Sequence, residues 1–217
     1  MRRLNGVVCV ALLAGITAPA AADFTYELSV KFNGSTPASP SLPWTEATFE
    51  QEGVGDVKLT LSATNLMGDE FISEWYFNVL DVVDPTQLVF TPDGTLPFTV
   101  LGIEQQSNAF QADGDGLFDI RFDFIHTLGP GDQFVGQEVG TWIISHPTMD
   151  LNPEMFWDTS MSAMEGGIEG LYTAAHLGGI DGEDEGNSWI TVIPAPGAAL
   201  LGAVGLGLIH CVKRRYV

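Results

Sequence analysis

Every second residue is apolar in three stretches of this chain. Phe24, Tyr26, Leu28, Val30 and Phe32 alternate with mostly polar neighbours, Val57, Leu59 and Leu61 alternate with Lys58 and Thr60, and Phe118, Ile120, Phe122 and Phe124 alternate with Asp119, Arg121 and Asp123. A period of two sends successive side chains to opposite faces of a strand, so these stretches predict half-buried strands of an antiparallel sheet. Weaker strand signals occupy 45–51, 71–83, 87–91, 98–103, 139–145, 171–176 and 188–193. Turn formers separate them: Asn33-Gly34, Asp84-Pro85, Pro92-Asp93-Gly94 and Gly129-Pro130-Gly131-Asp132. Gly and Asn tolerate positive φ and Pro presets the turn dihedral, so each group ends a strand. Many short strands punctuated in this way predict an all-β domain over 23–193, an antiparallel β-sandwich of jelly-roll-like kind. Residues 178–187 read as an acidic loop before the last strand, and no internal repeat stands out.

The two ends follow another pattern. Arg2 and Arg3 precede a short apolar core at 7–16, and Ala20-Ala21-Ala22 sets small residues where a signal peptidase reads them. Residues 1–22 are therefore expected to be a signal peptide cut before Asp23, with Ala20 and Ala22 as the recognised pair. At the other end, Pro194-Ala195-Pro196-Gly197 is followed by an apolar run at 198–212 and then by Lys213, Arg214 and Arg215. The run is short against the roughly 20 residues of a bilayer span, and cations after it would stay on the cytoplasmic side. A plain single-pass anchor that thins the bilayer locally is the alternative reading of the same residues.

Charge narrows the partners. All 28 acidic residues fall within 23–193, together with three basic ones, Lys31, Lys58 and Arg121, a formal charge of −25 for that segment. Nucleic acid is excluded, since phosphate binding needs clustered Lys and Arg. Solubility and self-repulsion outside a cell account for the acidity, and cation binding is its sharper reading. Cys9 and Cys211 both sit in the terminal apolar segments. The middle therefore has no disulfide and must be held by its own core, for which Trp44, Trp75, Trp142, Trp157 and Trp189 are candidates.

The strongest candidate for chemistry is Asp113-Gly114-Asp115-Gly116-Leu117-Phe118-Asp119. Calcium loops place carboxylates at alternate positions with a Gly for the sharp turn, which makes Asp113, Asp115 and Asp119 the expected ligands of a calcium ion. An Asp/Gly-rich turn between strands needs the same residue types for conformational reasons. The stretch resembles an EF-hand, dockerin or thrombospondin type 3 loop in its Asp-x-Asp-Gly core. It has Gln111 where those loops have a first Asp, and it lacks their closing Glu. Asp181-Gly182-Glu183-Asp184-Glu185 reads as a solvated loop. The spacings of His126, His146 and His176 fit no zinc motif, and no nucleophile elbow, P-loop or dinucleotide fingerprint is present. No catalytic residue is predicted, and the chain is not expected to be an enzyme.

The tail resembles the PEP-CTERM sorting signal, in which Pro-Glu-Pro is followed by a hydrophobic helix and an Arg-rich end. Pro194, Pro196, the apolar run and Arg214-Arg215 match it, and Ala195 stands where the family usually has Glu. This Pro-Ala-Pro variant covers about a tenth of the chain. The resemblance implies a bacterial protein that is exported and held transiently in the inner membrane by its transmembrane tail. An exosortase-type enzyme would sort and process it to the cell envelope, outer surface or extracellular matrix. Two further roles follow for a domain in such a matrix. One is a carbohydrate-binding module for extracellular polysaccharide, calcium-assisted, with Trp75, Trp142 or Trp189 lined up on an open face. The other is a polysaccharide hydrolase, which requires two carboxylates facing each other across a cleft.

Overall fold

The computed structural model describes residues 22–127, 132–163, 170–180 and 186–192. Eleven strands are found there: β1 (Phe24–Gly34), β2 (Thr45–Glu52), β3 (Asp56–Ser62), β4 (Phe71–Phe77), β5 (Val89–Pro92), β6 (Val100–Ala112), β7 (Asp115–Phe124), β8 (Phe134–Val135), β9 (Val139–Ser145), β10 (Thr173–Gly178) and β11 (Ser188–Val192). The helical elements among the described residues are two 3-10 turns, Pro85–Gln87 and Pro153–Phe156. None of the helices described is long and apolar enough to cross a membrane.

All named strand pairs are antiparallel, in the order β5-β9-β3-β2-β1-β11-β10-β4-β7-β6, with β8 also on β4. The all-β antiparallel expectation therefore holds. The strands form one hydrogen-bonded path, folded so that its two halves face each other across a shared core. Ring contacts mark where the halves meet: Phe122 of β7 lies 5.4 Å from Phe90 of β5 and 5.2 Å from Trp142 of β9, and Phe49 of β2 lies 5.4 Å from Phe77 of β4. Trp75 and Trp142 are buried at the centre. Burying aromatic rings at this density supplies the apolar area that a cysteine-free domain needs.

A second, smaller cluster packs on the outer face. Tyr76, Ala174, Ala112 and Phe118 are buried there, with Phe32, Phe110, Leu171 and Trp189 packed against them. Tyr76 lies between Trp75 and Phe77, which face the main core, so strand alternation places it on the other side.

Two expected single-faced strands turn out to be divided between these clusters. In β1 the register against β11 shifts between Leu28 and Val30. One extra residue reverses the parity of those that follow. Tyr26 and Leu28 thus enter the main core, and Phe32 reaches Trp189 on the outer face. In β7, Phe118 belongs to the outer cluster and Ile120, Phe122 and Phe124 to the inner one, with Asp119 at the crossover.

The boundaries differ in two other places. The 71–83 signal ends as a strand at Phe77, because the next amides turn to other partners: Val79 N–H donates to Asp119 and Leu80 N–H to the Met155 carbonyl. The 98–103 signal belongs to a strand that runs on to Ala112. Its polar second half, Glu104 to Asn108, is an exposed sheet edge with no apolar face to bury.

Candidate functional site

Two clefts lie at opposite ends of β4. The first, about 410 Å³, is lined by Phe71, Ser73 and Glu74 of β4, His176 and Gly178 of β10, and Asp123, His126 and Asn187. A bulge builds it. His176 pairs with Glu74 and Leu177 with Ile72, which leaves Ser73 as the extra residue on β4. A bulge re-aims the side chains beside it, and here Ser73 and Glu74 both turn toward the same imidazole. Ser73 Oγ lies 2.8 Å from His176 Nδ1 and donates to the His176 carbonyl oxygen at 3.2 Å. Glu74 Oε2 lies 3.9 Å from the same Nδ1.

The surroundings decide the charge of these groups. Burial pushes the His176 imidazole below its usual value, against the opposing pull of Glu74 and Asp113, so the ring is neutral at pH 7. Burial raises the Asp123 carboxyl, and Arg121 partly offsets this. Glu74 accepts from the Tyr76 hydroxyl at 2.8 Å and lies 3.7 Å from Arg121, which also pairs with Glu104. Glycine shapes the floor: a Cβ on Gly178 would run into the Phe71 ring, and one on Gly179, at φ +73°, into the Asp69 carbonyl.

The second cleft, about 440 Å³, lies beyond the other end of β4. It is lined by Asn78, Asp81, Asn108, Asp119, Asp158, Thr159, Ser160 and Met161, among others. Asp119 is buried, and its two oxygens accept from different segments: Oδ2 from Val79 N–H, just past β4, at 3.0 Å and Oδ1 from Asn108 N–H of β6 at 2.7 Å. Burial raises its carboxyl despite those two bonds, and Asp158 and Asp81 raise it further. Asn108 has φ +49° at the irregular part of β6, so Asp119 pins a strained residue to the end of β4.

The three expected calcium ligands are distributed as follows. Asp113, at φ +57° in the β6–β7 turn, accepts from Asn33 Nδ2 at 2.7 Å. Asp115 opens β7 opposite Ala112, and its side chain lies outside the described residues. Asp119 sits in the second cleft. Among the described residues, no three His, Cys, Asp or Glu side chains are grouped to hold a metal ion. Ala22 is exposed. Ala20, Pro194, Ala195, Pro196, Lys213, Arg214 and Arg215 lie outside the described residues, as does most of the signal peptide and all of the sorting tail.

The tryptophans do not form a row on an open face. Trp75 and Trp142 are buried, and Trp189 is half-buried beneath its neighbours. Trp157, at 48 % exposure, is the open one, supported by Phe24 at 5.1 Å and Tyr172 at 5.9 Å. Neither the Ser73–His176 contact nor the shared cleft of Asp81, Asp119 and Asp158 could be found from spacing, since each joins segments far apart in the chain. No protein-family model matches this chain, and no curated protein or solved structure is significantly similar to it.

Proposed function

We propose that this is a non-catalytic exported protein, sorted by an exosortase-type enzyme to the cell envelope or extracellular matrix. Its folded-over sheet would serve there as a jelly-roll-like sandwich ectodomain. The arrangement around His176 supports the non-catalytic reading by speaking against a nucleophile relay in the first cleft. A nucleophile relay needs the hydroxyl on one imidazole nitrogen and the carboxylate on the other. Ser73 and Glu74 both approach Nδ1, at 2.8 and 3.9 Å, and Ser73 is only 6 % exposed. The export reading rests on the Ala20–Ala22 site, the Pro194-Ala195-Pro196 motif and the Lys213–Arg215 end.

The test is a mass spectrum of the mature protein from its native host. The expected form begins at Asp23 and ends near the Pro-Ala-Pro motif. Recovery of the intact chain from Met1 to Val217 would refute the processing. Deleting Lys213–Arg215 should release or misplace the protein, and unchanged localisation would refute the sorting role.

Exposed Trp157 favours a second reading, a carbohydrate-binding module. An aromatic face held open by Phe24 and Tyr172 can stack on a sugar ring. Retention on an insoluble neutral polysaccharide, abolished by Trp157→Ala, would establish it, and equal retention of both proteins would refute a role for Trp157.

A further inference from the structure

We propose that the second cleft is a docking site for a cationic, apolar-flanked polypeptide segment. Three observations converge there. Asp81, Asp119 and Asp158 all line one cleft, and none of Lys31, Lys58 and Arg121 is among its lining residues. Exposed apolar side chains adjoin these residues along the chain: Leu80 and Val82 flank Asp81, Trp157 precedes Asp158, and Met161 lines the cleft itself. Asn78, 3 % exposed and also part of the lining, has an amide nitrogen with no hydrogen-bond partner among the described residues.

Each observation specifies one property of the occupant. Carboxylates without counter-charges select a cation, and a Lys or Arg side chain brings one on an apolar stem. Exposed Met161 in the lining, with exposed Leu80, Val82 and Trp157 next to Asp81 and Asp158 in the chain, selects apolar groups beside that cation. The unpartnered amide of Asn78 selects a carbonyl oxygen, which a peptide backbone carries at every residue. Buried donors without partners are costly, so pairing this one on binding contributes to affinity. A saccharide would satisfy Asn78 and Trp157 but would leave the carboxylates without a counter-charge. The charge of −25 over residues 23–193 would hasten the encounter with such a cationic segment, while the cleft would fix where it docks.

The probe is a short fluorescent peptide of alternating Lys and Leu, titrated into the full chain at moderate salt. General acidity would attract such a peptide anywhere, so two variants of equal net charge are compared. Asp81→Asn/Asp158→Asn alters the cleft, and Glu27→Gln/Asp93→Asn alters exposed carboxylates elsewhere. The cleft variant should lose at least about tenfold in affinity, with the remote variant close to the parent. A peptide with Ser for Leu should bind as weakly as the cleft variant does. Equal losses in the two variants would overturn the proposal in favour of net charge alone. So would the absence of peptide binding, or tight binding of a neutral oligosaccharide that depends on Trp157. Failure here leaves export and sorting untouched, since those are read from the chain ends.

Discussion

The indole of Trp189 stacks on the imidazole of His176, with ring centroids 4.4 Å apart and planes 21° from parallel. The two residues pair across β10 and β11. Trp189 covers one side of His176 while Ser73 holds its Nδ1, so the half-buried ring is partly desolvated and neutral at pH 7. The first cleft is therefore sensitive to acid.

The pH dependence follows from the sign of that shift. The folded-state value of His176 lies below the 6.5 of an unfolded chain. Between the two values the unfolded chain holds more protons, so stability falls as pH falls through that window. Melting temperature should drop between about pH 7.5 and about pH 5, and His176→Gln should drop less. Asp119 and Asp123 have the opposite sign. Their folded values are raised above 3.8, so their contribution grows as pH falls toward that value. Equal drops in the parent and His176→Gln would show that the imidazole is not the responsible group.

Asp119→Ala should be among the most damaging changes of a polar residue. It leaves the buried amide of Val79 and the part-buried amide of Asn108 without acceptors, at up to about 1–3 kcal/mol each. Asp119→Asn should be milder, since its single carbonyl oxygen can serve one of the two. Urea unfolding of the three proteins would measure the order. A fully stable Asp119→Ala would contradict the pinning role.

Phe122→Ala should cost about 3–5 kcal/mol, because this ring touches Phe90, Phe77, Phe124 and Trp142 where the halves of the sheet meet. Trp157→Ala removes a larger ring from a half-exposed position and should cost clearly less. The comparison, by thermal or urea unfolding, checks that the sheet closes over one shared core.

Gly179→Ala should destabilise the edge of the first cleft by more than about 1 kcal/mol. The new Cβ would meet the Asp69 carbonyl at a φ of +73°. Gly94→Ala provides the contrast, since it shares a positive φ but faces open space, so only the conformational part remains. Similar melting temperatures for the two variants would show that the backbone contact at Gly179 is relieved without cost.

The alternation of apolar residues by itself determined that this chain is antiparallel β, and where most strands lie. Period-two patterning is a local property, set by which residues can share one face of one strand. The punctuation by Gly, Pro, Asn and Asp is local too, so the end of β1 at Gly34 and the hairpin turn at Asp113-Gly114 were legible. Only the tertiary structure decided which face each residue takes after a bulge. Phe32 and Phe118 continue the alternation of their strands in sequence, yet a register shift in one strand and the crossover at Asp119 in the other move them to the outer cluster. The polar half of β6 was illegible for a related reason: an edge strand is held by backbone bonds on one side and has no apolar face to betray it. Both clefts lay beyond sequence reading, because Ser73 meets His176 across 103 residues and Asp119 meets Val79 across 40. Spacing along the chain carries no information about contacts that strand order alone brings together.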